Sequence, residues 1–158
     1  MSRFILVAVG LMLGIVLSFW GISRSEAQTR TFEAGIAVLF YSTDFEDMYD
    51  LDAKLSALFD RLSSNHINAL SIAWPIYTDG VLANSLYRGE KTPSDEALRF
   101  FVKKATERGF TITLKPFIDE HSIIADGKYE WRGTIRPIKV RAWFESYSNL
   151  VREYADIA

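Results

Sequence analysis

The chain has 158 residues, a mass of 18.0 kDa and a formal net charge of −2, a length suited to one domain. An apolar fraction of 49% and an aromatic fraction of 14% exclude a disordered, solvating tail. The slightly acidic balance argues against a nucleic-acid-binding protein, which needs a basic surplus on one face. No cysteine is present, so disulfides, thiolate catalysis and Cys-ligated zinc or iron–sulfur clusters are excluded. The two histidines are too few for a His-built metal centre, and no cofactor is expected.

Residues 1–27 read as a targeting segment. Met1-Ser2-Arg3 is a short positive start, and Phe4 to Ile22 carries no charge. Small residues at Ser25 and Ala27 suit a signal peptidase cutting before Gln28. The apolar run is also long enough to remain as a membrane anchor, with membrane contact through residues 4–22. Its Gly10-x-x-x-Gly14 spacing could pack two such helices, although chance suffices to explain it. Either way, residues 28–158 are expected to be exported, whether periplasmic, extracellular or held on the outer face of the cytoplasmic membrane. Without Arg3, Arg24 and Glu26, 16 basic and 19 acidic side chains remain.

Strand and helix patterns then alternate. Gly35 to Ser42 is an apolar run of the kind buried in a parallel sheet. Leu51, Leu55, Leu58, Phe59 and Leu62 form one helical stripe, with Asp50 as the expected N-cap. Asn68 to Trp74 is the second strand, closed by Pro75. Thr92-Pro93-Ser94-Asp95-Glu96 predicts a helix start with proline at its first position. Leu98, Phe101, Val102 and Ala105 form that helix's buried face, and Gly109 is placed to end it. Phe110 to Asp119 is the third strand. A last helix runs from about Val140, with Trp143, Phe144, Tyr147, Leu150, Val151 and Tyr154 at helical spacing. Such alternation implies an α/β fold of parallel βα repeats. No phosphate-cradling glycine motif follows any strand. Long loops, at 75–91 and 120–138, follow strands two and three, where α/β enzymes hold substrate.

Strand three carries the most informative alternation. Thr111, Thr113, Lys115, Phe117 and Asp119 share one face, and Ile112, Leu114, Pro116 and Ile118 the other. The apolar face should pack under helices, which turns Lys115 and Asp119 toward a barrel axis or crevice. A lysine there needs a carboxylate, a carbonyl or a substrate hydroxyl. A structural pair with Asp119 or another neighbour is the plainer alternative. In the loop beyond, Asp126-Gly127 marks a turn and Trp131-Arg132-Gly133 sets an indole beside a guanidinium. An indole face suits the C–H face of a pyranose while charged groups take its hydroxyls. Trp74, Tyr77 and Tyr41, at strand ends, are candidates to extend that surface. Burial as a packing lid is the competing role for Trp131.

Leu114-Lys115-Pro116-Phe117-Ile118-Asp119, Asp126-Gly127 with Trp131-Arg132-Gly133-Thr134-Ile135, and Trp143-Phe144-Glu145-Ser146-Tyr147 resemble a known pattern. They are similar to the TIM-barrel glycoside hydrolases of the family 113 β-mannanase type, over roughly residues 35–158. The resemblance implies the first three βα units of a (β/α)8 barrel, and the apolar run of residues 4–22 places an apolar N-terminal helix ahead of them. It also implies a polysaccharide or oligosaccharide substrate, with Lys115, Asp119, Trp131 and Arg132 in the site region. Phe117 departs from the pattern, where the family is expected to carry histidine; His121 stands at another position.

A complete barrel takes about 250 residues, and the resemblance places both catalytic glutamates beyond Ala158. No convincing carboxyl pair for retaining hydrolysis is apparent in the chain. Asp119 and Glu120 are adjacent at a strand end and point apart. The chain is therefore expected to be the amino-terminal portion of an exported endo-β-mannanase-like enzyme and inactive alone. A non-catalytic carbohydrate-binding or surface-assembly protein is the alternative. A third possibility is an unrelated small α/β domain whose aromatics, Trp131 included, are only core.

Overall fold

The computed structural model describes residues 32–157. The targeting segment, its apolar helix and the proposed membrane contact of residues 4–22 lie outside the described residues. Among the described residues, no helix is long and apolar enough to cross a membrane.

Three parallel strands form the sheet in chain order: β1 (Gly35–Leu39), β2 (Ala69–Ile76) and β3 (Thr111–Ile118). Helix α1 (Met48–Ser64) joins β1 to β2, and α2 (Asp95–Glu107) joins β2 to β3. Helix α3 (Val140–Ala155) follows the loop after β3, which contains a two-stranded hairpin, β4 (Ile124–Ala125) with β5 (Lys128–Tyr129).

The register decides what each face carries. Val38, Ile72 and Leu114 lie side by side across the sheet, and Ala37, Ser71 and Thr113 form the adjoining row on the opposite face. The first face continues through Leu70, Trp74 and Ile76 and packs on the helices. The second is built from Gly35, Ala37 and Leu39 in β1, Ala69, Ser71, Ala73 and Pro75 in β2, then Thr111, Thr113, Lys115 and Phe117 in β3. Apart from the exposed Leu39 at the end of β1, mostly small residues line two strands of that face, and β3 alone brings longer polar side chains to it.

Phenylalanines from several elements knit the helical layer. Phe101 of α2 meets Phe40 at 5.1 Å and Phe59 at 5.6 Å, both edge-on. Phe59 in turn packs on Phe110 at 5.4 Å. These edge-to-face contacts add to the burial of each ring.

Pro75 does not close β2 but lies within it, paired in register with Phe117. Odd-numbered residues of β2 turn their backbone groups toward β1, as in the bonds of Ala69 N to Ala34 O and Phe40 N to Ala73 O. β1 has ended before residue 75, so the missing N–H of proline has no strand to bond there. Pro116 sits on β3 with its nitrogen toward that strand's free edge, where proline is tolerated.

The helix caps differ from the expected ones. Asp47, not Asp50, caps α1, accepting from the amides of Tyr49 and Asp50 at 2.9 and 2.8 Å. Asp50 instead pairs with Lys54 one turn on. Ser94 caps α2 through the Ala97 amide, because the Thr92 hydroxyl is bonded to the Pro75 carbonyl at 2.8 Å. Gly109, at φ +83°, takes the left-handed position after α2 as expected. On α3 only Leu150 and Tyr154 of the expected stripe are buried; Phe144 and Val151 face out.

Trp74 is the main correction among the site candidates. It lies on the helix-facing side of β2, wholly buried, with its ring edge-on to Tyr154 of α3 at 4.8 Å. It offers no surface to a ligand; strand alternation places it with Ile72, not with Lys115. Trp131, by contrast, is 66% exposed. Trp74→Ala should therefore cost about 3–5 kcal/mol in urea denaturation, whereas Trp131→Ala should shift the unfolding midpoint little. Comparable losses for the two would return Trp131 to the core.

Candidate functional site

The site region lies where the three strands end. β1 runs through buried Phe40 into a turn at Ser42–Asp44, whose Ser42 amide bonds the Lys91 carbonyl at 3.1 Å. β2 continues into Tyr77, which bridges to Tyr87 through both backbone bonds, with the rings stacked 6.0 Å apart. β3 continues into Asp119, whose amide bonds the Ile76 carbonyl at 2.8 Å.

The two long loops are tied into one layer above these ends. The amide of the wholly buried Thr78 donates to Ser122 Oγ and its hydroxyl to the Ser85 carbonyl. Gly80 donates to the Ser122 carbonyl, and Arg136 to that of Val81. Ser146 of α3 bonds both the amide and the carbonyl of Leu86, which docks the last helix onto the first loop. Arg88 holds the same loop from another side, pairing with Asp95 at 2.6 Å and Glu153 at 2.8 Å beneath the Tyr154 ring.

Of the sequence-derived candidates, Lys115 is exposed on the face away from the helices and has no ion-pair partner among the described residues. The alternative Lys115–Asp119 pair is not formed. Asp119 instead accepts from the His121 amide at 2.9 Å and from its Nδ1 at 3.0 Å. Partial burial acts to raise the Asp119 pKa, but the two His121 hydrogen bonds and the nearby charges of His121 and Lys91 outweigh it. The net shift is downward. Tyr77 moves the other way: burial first, then the Asp119 charge, raises its phenol above the ordinary value.

Arg132 is committed to the scaffold. Its Nε donates to the Ile118 carbonyl at 2.7 Å, Nη1 pairs with Glu120 at 2.8 Å, and its guanidinium lies 5.6 Å from the Phe117 ring centre. It thus fastens the outer loop to the end of β3 on the Lys115 face. Trp131 folds back over Gly133: a methyl group there would come within 2.1–2.4 Å of three indole carbons. Only glycine lets the ring lie on the backbone, and the turn is closed by Thr134, which donates twice to the Trp131 carbonyl. One side of the indole is backed by protein.

Sequence reasoning missed the roles of His121, Tyr129, Ser122 and Ser146. His121 had a visible signal, since Asp-x-His at a strand end permits a local carboxylate–imidazole bond. Ser146, 60 residues from its partner Leu86, had none. No cluster of three or more potential metal ligands occurs among the described residues.

Parallel strands in sequential order, helices on one face and long loops at the carboxyl ends define a run of βα units of the TIM-barrel kind. The profile of Glycoside Hydrolase Family 113 matches residues 47–158, and the chain belongs to that family. Among solved structures, the fold is similar to the GH113 β-mannanase AaManA from Alicyclobacillus acidocaldarius in complex with ManMIm, with a TM-score of 0.63 and 22% identity. Two structures of a GH113 β-1,4-mannanase, one of them a complex, match with TM-scores of 0.55 and 20% identity. Each match covers 80% of this chain but only 41% of the other, so the chain spans less than half the length of these enzymes. No curated protein matches it.

The Asp119 shift has a testable consequence. A carboxyl with a lowered folded pKa contributes stability above its unfolded value, about 3.9, and loses it as pH falls through the folded value. In carbon-detected NMR, Asp119 should titrate below ordinary aspartate, and His121→Ala should move its midpoint upward. An unchanged midpoint in the variant would show that His121 does not hold the carboxylate.

Proposed function

We propose that the chain forms the first three βα units of a retaining, endo-acting β-mannanase-like glycoside hydrolase whose catalytic glutamates lie outside it. The observation that carries this reading is the family match over residues 47–158, supported by Lys115 exposed on the face away from the helices, Asp119 at the end of β3 and an exposed Trp131 in the loop that follows. Retaining hydrolysis needs two carboxyl groups about 5–5.5 Å apart. Asp119 and Glu120 do not supply them, because the first is bonded to His121 and the second to Arg132. Their engagement with protein partners is consistent with bond-breaking groups on later strands.

Export belongs to the same proposal, supported by the positive start, the uncharged run Phe4 to Ile22 and the small residues at Ser25 and Ala27. Amino-terminal sequencing of protein recovered outside the cytoplasm should begin at Gln28 or, for a retained anchor, at the original start in the membrane fraction. Recovery of all the protein in the cytoplasm would refute export.

The gene product that continues past Ala158 should cleave β-1,4-mannan with retention of the anomeric configuration, followed by proton NMR of the first product. The 158-residue chain alone should release none. Inversion would contradict the retaining mechanism. Binding of oligosaccharide by the longer product without turnover would favour a non-catalytic carbohydrate-binding protein.

A further inference from the structure

Aspartate is followed by glycine twice in the chain, at Asp79-Gly80 and Asp126-Gly127. In such a pair the glycine nitrogen can approach the aspartate carboxyl, because glycine has no side chain in the way and the widest backbone freedom. We propose that Asp126-Gly127 is a modification site, where the chain rearranges spontaneously to isoaspartate, and that the fold protects Asp79-Gly80 from the same reaction. The inference stands apart from the hydrolase reading.

The reaction needs only the chain and water. The Gly127 nitrogen attacks Asp126 Cγ and loses its proton; a C–N bond forms, the carboxyl C–OH bond breaks, and one water leaves. The product is a five-membered succinimide. Water then adds to one of its two carbonyl carbons. Breaking the ring bond from nitrogen to Cγ restores aspartate. Breaking the bond from nitrogen to the main-chain carbonyl carbon leaves the backbone running through Cγ, with a free α-carboxylate beside it. Mass is unchanged, and the backbone is longer by one carbon.

The two pairs differ in access. Asp126 and Gly127 form the tip of the β4–β5 hairpin, with φ of +51° and +72°, the doubly left-handed turn that Asp-Gly favours. Both are exposed. Among the described residues Asp126 has no side-chain hydrogen bond or ion pair, and the Gly127 amide makes no hydrogen bond. No atom lies within 4 Å of where a Gly127 Cβ would stand. Ring closure requires the turn to leave its left-handed shape. Only two residue pairs, Ile124 with Tyr129 and Ala125 with Lys128, hold the hairpin, so local opening costs little.

At Asp79-Gly80 each of these conditions is reversed. The Gly80 amide donates to the Thr78 carbonyl at 3.0 Å and to the Ser122 carbonyl at 2.9 Å, which occupies the nucleophile. The Tyr87 hydroxyl donates to Asp79 Oδ1 at 2.8 Å. A Gly80 Cβ would fall 2.7 Å from the Ile124 carbonyl oxygen, so the backbone there is hemmed in. Freeing it means disturbing the wholly buried Thr78 and its bond to Ser122. At the hairpin, the longer backbone of isoaspartate breaks the pairing of Ala125 with Lys128 and carries Tyr129 away from the His121 ring, which it meets edge-on at 5.3 Å.

The test holds the 158-residue chain for several weeks at pH 6 and physiological temperature in oxygen-18 water, then maps its peptides. The peptide with Asp126 should take up oxygen-18 and become a substrate for an isoaspartyl carboxyl methyltransferase about tenfold faster, or more, than the peptide with Asp79. The nitrogen-15 amide signals of Ala125, Lys128, Tyr129 and His121 should split as the second form accumulates. Asp126→Glu, which would need a six-membered ring, should lose the label. Asp126→Asn should react through the same succinimide, releasing ammonia and taking up label. In guanidinium the Asp79 peptide should approach the rate of the Asp126 peptide, since the protection comes from the fold. The proposal is overturned by equal rates at the two pairs in the folded chain, by no label at Asp126 when a synthetic peptide of residues 120–132 acquires it, or by an Asp79 peptide that stays unlabelled in guanidinium.

Discussion

A strand in a sheet hands every second side chain to each face, and here helices cover only one of the two. The register of β1, β2 and β3 keeps that alternation aligned, so a single rule sorts every strand residue into core or site. Ile72, Trp74 and Leu114 go to the helices. Ala73 and Lys115 go to the other face, as neighbours across the β2–β3 ladder. Helix packing then locks the arrangement, because slipping any strand by one residue would expose its apolar set and bury its polar one.

The layer above the strand ends depends on that frame but is held by different forces. Hydrophobic burial contributes through Ile123, Val81 and Leu86, while the path of the chain is set by hydrogen bonds between the loops. Thr78 and Gly80 meet Ser122, Arg132 reaches back to Ile118, and Ser146 grips Leu86 from α3. Most of these partners are far apart in the chain, so the loops become ordered only once the sheet has brought them together.

Division of labour among the charged residues follows from the same layer. Arg132 and Glu120 satisfy each other and fasten the loop, Arg88 joins two helices to it, and Asp119 orients His121. Lys115 and Glu130 are left unpaired among the described residues. Groups already paired with protein stabilise the scaffold, and those left over are the ones a ligand can use.

The local pattern of residues was enough to determine the three strands, the three helices, the apolar face of β3 and the turn at Gly109. Each is encoded by neighbours within a few positions, through side-chain period or backbone freedom. The resemblance carried by the Lys115–Asp119 and Trp131–Gly133 blocks likewise needed no coordinates. Tertiary structure alone decided that Trp74 is core, that Arg132 serves the scaffold and that Thr92 bonds Pro75 instead of capping α2. It also brought His121, Tyr129 and Trp131 to one cleft. Those outcomes turn on which distant groups compete for the same hydrogen bond or the same surface, and such competition exists only after the chain has closed on itself.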